Sequence, residues 1–479
     1  MQERPIKMIN RIAYSVGDFY GGGGLFLVSI LAMYFLINIV KLPPLYAGLI
    51  FGISRILDAI ADPLMGYLSD HTKSRLGRRR IYFAWGIVPI IISFNLVWYP
   101  VHISDDFLRY LYYQFAYIFF YLTTTMVLIP YYALNAEMTT NYAERNRLSG
   151  MRLMFSIAGT LIVAVVAMPF VKSFPDPETG YRMLGIAAGF FCAIPWIFVI
   201  LGTWELPIKS ESEDLNFVSN FLSIFRNKSF LLHIGMFICA YGCFEVLKSW
   251  FIFYTEDYLM MPKFQSIGMG VIIITELLAV NFYTWYANKK STAAAYILGM
   301  AIFIPGMILF AMHPPNASMP LLIANCVLVG FGIAAGVFIP WAILPFVVDV
   351  DEMITGKNRA GTYSGGLTFI RKFMQGVVAL ILGVLLQFIG YVSKVTPDIL
   401  QTPETIFKFK IMFVTLPVIF TLAGLFFALR FKITPTRHRV MMAEIERLRG
   451  GGSKADVSPD TRRVCERLTG LSYDKLFMK

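Results

Sequence analysis

The residues best placed to do chemistry lie in an apolar stretch, where charge is expensive. Arg55, Asp58 and Asp62 are spaced by three and four positions, so on a helix they share one face, with the guanidinium one turn before the first acid. An ionised side chain in the middle of a bilayer costs roughly 3 kcal/mol or more unless it is paired, hydrated or neutralised. Two carboxylates this close can hold Na⁺ through their oxygens, or share one proton, because two like charges so near do not both stay ionised. Either use ties an ion to a conformational change. A structural ion pair between Arg55 and Asp58 is the competing explanation, and a second acid on the same face weakens it.

The elements that must position these groups follow from composition. Of 479 residues, 57% are hydrophobic and 15% charged, too little polar surface for a water-soluble globule. Apolar runs of about twenty residues recur from Tyr14 to Phe431, about twelve in all, each long enough to cross a hydrocarbon core of roughly 30 Å as a helix. The alternating ten-residue segments of a membrane barrel are missing, so the fold class is an all-α polytopic membrane protein. The first run is far longer than a signal peptide's apolar core and is expected to stay attached. A polar stretch with Pro207, Lys209 and Glu211 divides the helices six and six. The expected organisation is an N-terminal six-helix bundle over 1–205, a central cytoplasmic loop over 206–229, a C-terminal six-helix bundle over 230–431 and a cytoplasmic tail over 432–479. Within the tail, Arg439 to Arg449 reads as a short amphipathic helix ended by Gly450 to Gly452. Two related halves are a recurrent solution for alternating access.

Lys and Arg crowd the loops on one side, which places both termini in the cytoplasm and the chain in a bacterial inner membrane. That topology and contact with anionic lipid account for the net charge of +12, so no nucleic-acid partner is needed. The five cysteines form no disulfide framework and no metal pattern. The five histidines are scattered, and no nucleophile with a base or His–carboxylate set stands at membrane depth, so neither catalytic residues nor a resident cofactor are expected.

Downstream of the acid pair, Gly66, Asp70, Lys73, Arg75, Gly77, Arg78, Arg79 and Arg80 form a short basic loop. It resembles the cytoplasmic loop signature of the major facilitator superfamily. Arg55 to Gly77 as a unit is similar to the glycoside-pentoside-hexuronide:cation symporters, the family of melibiose permease. Further landmarks extend the resemblance over most of the chain: Ile129 to Leu134, Glu144 and Arg145 leading to Arg152, and Asp349, Asp351 and Glu352 through Arg359 to Arg371 and Lys372. It implies the major facilitator fold and a co-transported H⁺ or Na⁺. The coupling cation would use Asp58, Asp62 and Thr125, with Lys372 linked to coupling and Arg55 and Arg152 matching family arginines; no metal beyond a Na⁺ at Asp58 and Asp62 is implied. The gating loops would be Asp70, Arg75, Gly77, Arg78, Glu144, Arg145, Asp351 and Arg359.

Departures from the family pattern refine the expectation. Ala61 stands where sodium-using members carry an Asn between the acids, which tilts the ion toward H⁺. Gly22 and Leu128 stand where sugar-binding members carry carboxylates, leaving Asp18 one turn earlier as a substitute or as a capped acid near the cavity mouth. Glu245 and Lys248, at i and i+3, either neutralise each other or meet substrate, and Tyr132 and Trp341 either stack on a sugar ring or pack. The substrate set is therefore Asp18, Arg55, Tyr132, Arg152, Glu245, Lys248, Trp341 and Lys372. With three cations facing a cavity short of sugar-binding acids, the expected activity is cation-coupled symport, H⁺ favoured over Na⁺, of a sugar or sugar-like, anionic solute by a monomer. An amphiphile or lysolipid transporter of the same fold, or a non-transporting membrane sensor, stays open.

Overall fold

The computed structural model describes residues 6–139, 142–205, 223–356, 359–392 and 401–477. Most of the expected central loop (206–222) and the side chains of Asp70 and Arg145 lie outside the described residues. Among those described, twelve helices are long and apolar enough to span a bilayer. They are α1 (Met8–Ile39), α2 (Pro44–Ser69), α3 (Arg80–Trp98), α4 (Asp106–Asn135), α5 (Arg147–Lys172), α6 (Pro177–Gly202), α7 (Lys228–Tyr258), α8 (Phe264–Lys289), α9 (Thr292–Met312), α10 (Met319–Thr355), α11 (Thr362–Phe388) and α12 (Pro403–Arg430). With no water in the bilayer core to satisfy the backbone, helices answer every N–H and C=O internally. The tail folds as α13 (Pro435–Arg449) and α14 (Pro459–Thr469). Residues pack into two contact units, one of 1–212, 248–270 and 375–410, the other of 213–247, 271–374 and 411–479.

In the first unit, α1 is interrupted twice by a π turn, at Tyr20–Gly24 and Phe35–Ile39. The first carries the glycine run against α5. A methyl group added at Gly22 would stand 2.1 Å from the Ser156 carbonyl oxygen, so this position has no room for any side chain. The second π turn ends in Lys41 with φ 63°, followed by Pro43. The end of α7 repeats the arrangement, with a π turn at Tyr254–Tyr258, Met260 at φ 56° and then Pro262. A non-glycine residue in the left-handed region is uncommon. Finding one after a π turn at matching points of the first and seventh helices reveals an internal repeat that is faint in sequence.

In the second unit, α13 and α14 pack on the end of α10. The Phe477 N–H donates to the Met353 carbonyl at 2.8 Å, and Ser229 Oγ donates to the Leu468 carbonyl at 2.6 Å. The amphipathic helix expected from Arg439 begins earlier, at Pro435, where Thr434 caps it.

Candidate functional site

The site begins with α2. Its three polar side chains share a face, and α4 brings Thr125 opposite them. Asp58 is buried at 2% exposure and Thr125 at 3%, whereas Asp62 is half-buried. The Thr125 hydroxyl lies 2.5 Å from Asp58 Oδ1 and 3.1 Å from Asp62 Oδ1. One hydroxyl carries one hydrogen and can donate to only one of these oxygens at a time. Pro63, directly after Asp62, has no N–H to return to the Ala59 carbonyl, which loosens the helix beside the acids. Arg55 stands 3.6 Å from Asp58 Oδ2, a charge contact rather than a hydrogen bond, and its guanidinium lies 4.3 Å from the Tyr121 ring centroid. Gly376 of α11 packs directly on Arg55: a methyl added there would reach Arg55 Cβ at 3.0 Å.

A second polar cluster sits where α1 meets α5. Asp18, 3% exposed, faces Arg152 at 3.8 Å, and Arg152 lies 4.6 Å from the Tyr132 ring centroid. Among the described residues, Asp18 Oδ1 and Arg152 Nε have no hydrogen-bond partner, while Ser156 also reaches the Asp18 carboxyl. A buried carboxylate and a half-buried guanidinium that stop short of each other leave hydrogen-bonding capacity for a further group. Leu128 is buried packing.

The remaining expected substrate residues are distributed as follows. Glu245 and Lys248 are both buried on α7, at 7% and 5% exposure. Lys372, half-buried on α11, belongs to the second unit. Trp341 donates from Nε1 to the Tyr241 hydroxyl at 2.7 Å with Phe237 against it, so much of its surface is committed to packing.

Call the end of the first unit at which α1 begins its near end. There Arg78 donates to Glu137 from Nε at 3.2 Å and Nη2 at 2.8 Å, and Arg79 Nε adds a bond at 3.0 Å. Glu205 accepts the backbone N–H groups of Arg78, Arg79 and Arg80 at 2.8, 3.0 and 2.9 Å, capping α3 with a negative charge at its positive end. Gly77 makes this possible: its φ is 111° and a Cβ there would meet Glu205 Oε1 at 2.4 Å. Glu144 is held by Arg11 at 2.8 Å and by Arg147 at 2.7 Å. Burial pushes the Glu144 carboxyl up, and the two guanidiniums outweigh it, holding it below the usual range. Arg75 is exposed. In the second unit, Asp351 accepts two bonds from Arg359 at 2.7 and 2.5 Å, Glu352 pairs with Arg449 of the tail, and Asp349 pairs with His438 at 2.7 Å.

At the far end of the first unit stands a network that sequence reasoning missed. Tyr34 donates to Glu256, which also takes Lys172 Nζ at 2.8 Å. The Tyr391 hydroxyl lies 2.7 Å from Asp257 and 3.3 Å from Asn38. These contacts join α1 and α5 to the ends of α7 and α11. Beside them α2 and α11 touch backbone to backbone, where a methyl added at Gly383 would lie 2.6 Å from Gly48 Cα. The signal in sequence was Glu256 with Asp257, two adjacent acids closing an apolar run.

Twelve helices able to span a bilayer, with a buried and a half-buried carboxylate gathered on one hydroxyl, have the build of a secondary transporter. Solved transporters share the fold: a bacterial homologue of the lysosomal transporter Spinster, inward-facing and unoccupied, superposes with a TM-score of 0.64 at 12% identity over 89% of this chain and 98% of that one. The nucleoside transporter NupG does so at 0.62 and 16% identity over 88% and 97%. The profile of the family described as MFS/sugar transport protein matches residues 13–435, and the chain belongs to that family. Its relatives include an uncharacterized symporter of Synechocystis sp., 25% identical over 92% of this chain and 97% of the relative. Another is a protein of Escherichia coli (strain K12) provisionally named a sulfoquinovose importer, 26% identical over 84% and 85%. A third is the sodium-dependent lysophosphatidylcholine symporter 1 of Mus musculus, 23% identical over 95% and 91%. The chain is thus a multi-pass symporter of the major facilitator type, a transporter rather than an enzyme.

Proposed function

We propose that the chain carries a sugar-like anion across the bacterial inner membrane together with H⁺ in preference to Na⁺, by alternating access of two six-helix bundles at 1–205 and 230–431, with both termini and the 432–479 tail in the cytoplasm. The observation that carries the reading is the single Thr125 hydroxyl within hydrogen-bond reach of two carboxylates. Neither carboxylate can donate when ionised, so a proton on one acid, or a cation between them, changes how the two share the Thr125 hydroxyl. Ala61, which offers no oxygen, favours the proton. Asp18 and Arg152 are the proposed substrate contacts. A carboxylate with an open oxygen accepts from a hydroxyl, and the guanidinium receives an anionic group. The provisional sulfoquinovose importer among the relatives is consistent with that solute class. Arg55 is assigned to the cation site, Lys372 to coupling, and Tyr132 to holding Arg152.

The test is uptake into proteoliposomes of sugar acids, sulfonated sugars and neutral glycosides under an imposed pH or Na⁺ gradient. Uptake of an anionic sugar driven by the pH gradient, and lost in Asp58→Asn and Asp62→Asn, is the expected result. Drive by Na⁺ alone would overturn the choice of ion. No gradient-driven uptake of any polar solute would overturn the solute class. The lysophosphatidylcholine symporters among the relatives motivate a second reading, an amphiphile substrate. Labelled lysophosphatidylcholine in the same vesicles would reveal it.

A further inference from the structure

A cavity of about 350 Å³ opens in the second unit, and none of the residues assigned above to cation or substrate lines it. It is framed by the end of α8, the start of α9, α10 and the first turn of α13. Its lining is mixed: Phe338, Ala342 and Phe346, on one face of α10, are apolar, and Asn288, Thr434, His438 and Arg439 are polar or charged. A cavity that offers both kinds of surface suits an amphiphile.

The level of the cavity in the membrane can be read from its neighbours. Trp285 is 55% exposed and carries Lys289 Nζ at 5.1 Å over its ring. At the end of α12, the Arg430 guanidinium covers Phe426 at 3.5 Å. A Trp and a Phe on the lipid-facing surface, each topped by a cation, mark the headgroup layer, where aromatic rings and long basic side chains sit. Asn288 directly precedes Lys289 and Thr434 lies four residues after Arg430, which puts the cavity near the headgroup layer.

The charge around the cavity is positive. His438 is engaged by Asp349 at 2.7 Å, and Arg437 donates to the Lys432 carbonyl at 2.9 Å. Arg439 is exposed and lines the cavity, and Lys289 and Lys290 directly follow the lining residue Asn288 in the chain. Asp349 is the acid the structure pairs there, and it is matched by His438.

We propose that this cavity is a binding site for an anionic phospholipid, with the phosphate at Arg439 and Asn288 and one acyl chain along Phe338, Ala342 and Phe346. The lipid would hold the first turn of α13 against α8 and α10, joining the tail to the transmembrane helices. The site is independent of the transported solute, so the proposal stands or falls separately from the symport reading.

Native mass spectrometry of the delipidated full chain, offered equal amounts of phosphatidylglycerol and phosphatidylcholine with identical chains, tests it. The expected result is one retained phosphatidylglycerol, preferred by about tenfold. Arg439→Glu removes the preference, and Ala342→Trp, which fills the apolar side, reduces retention of both lipids. Equal retention of the two lipids, or a preference that survives Arg439→Glu, overturns the proposal. Displacement of the lipid by glycerol phosphate or inorganic phosphate at matched concentration also overturns it, because the site would then recognise a soluble anion. Should Ala342→Trp fail to fold, the exposed Arg439→Glu variant decides alone.

Discussion

The two ends of the first contact unit are closed by different chemistry. The near end is held by arginine–carboxylate pairs and a capped helix: Arg11 on Glu144, Arg78 and Arg79 on Glu137, and Glu205 on the backbone of 78–80. Every partner there belongs to the stretch before residue 206. The far end is held by phenols on carboxylates and by glycines packed backbone to backbone, and its partners come from α1, α2 and α5 on one hand and α7 and α11 on the other. Contacts confined to the first six helices can persist through a transport cycle. Contacts that join them to the seventh and eleventh must open if those helices separate. The pairs around the basic loop expected to gate have the geometry of a brace, and we propose the far-end network as a further gate.

The largest effect should come from breaking the far end. Gly383→Val puts branched carbon where even a methyl lies 2.6 Å from Gly48 Cα and 2.6 Å from the Pro44 carbonyl oxygen. Overpacking of this kind costs about 1–3 kcal/mol, enough to shift a two-state equilibrium by roughly fivefold to 150-fold. The five native cysteines are all buried, so a cysteine placed at Asn38 can be followed with little background. Its labelling by a membrane-impermeant maleimide should rise by about that factor in the Gly383→Val background, with transport falling in parallel. Unchanged labelling would remove α2–α11 contact from the gate.

Glu205→Ala tests the other side of the comparison. Three backbone N–H groups lose a charged acceptor, a loss of about 1.5–3 kcal/mol, read as a melting temperature lower by a few degrees. Labelling at the far end should not change, and transport per folded molecule should persist. A rise in far-end labelling would show that the near-end cluster is itself part of the gate. Tyr391→Phe is milder, removing one hydroxyl 2.7 Å from Asp257. About 1 kcal/mol predicts roughly fivefold faster labelling of the same cysteine.

How much of this was legible in advance depended on contrast. Asp58, Asp62 and Arg55 stood out because apolar helices rarely carry charge, and Thr125 followed from the family pattern. Asn38, Glu256 and Asp257 did not stand out, because polar residues are ordinary where helices end, and Tyr391 reads as one more interfacial aromatic. The π turns and the left-handed Lys41 and Met260 have no composition signal at all; they are forced by tertiary packing. Glu137 and Glu205 were hidden for another reason: their partners are backbone groups and arginines from distant segments, a pairing no local spacing reveals. By contrast, α14 had its signals in plain view, Ser458 before Pro459 and Gly470 at φ 78° after the last turn, and they went unread because the tail's mean polarity suggested no packed element.

The smallest effect concerns whether the tail belongs with the arginine–carboxylate type of closure. Burial pushes the Glu444 carboxyl up, and its bonds to Arg447 and Tyr473 outweigh that, so it titrates below the usual range; the Tyr473 N–H and Arg462 lower Glu466 as well. A carboxyl depressed on folding contributes stability above its unfolded value, and that stability is lost as pH falls through the folded one. Packing of α13 and α14 within the tail should therefore be flat from neutral pH down to about 4.3 and loosen below it. Cys465, buried in α14, reports this through its rate with a pyridyl disulfide, a reagent that still attacks thiols in acid. Acceleration only in the lower range assigns the packing within the tail to Glu444 and Glu466. Acceleration already between pH 7 and 5 would show that these two carboxyls do not hold it.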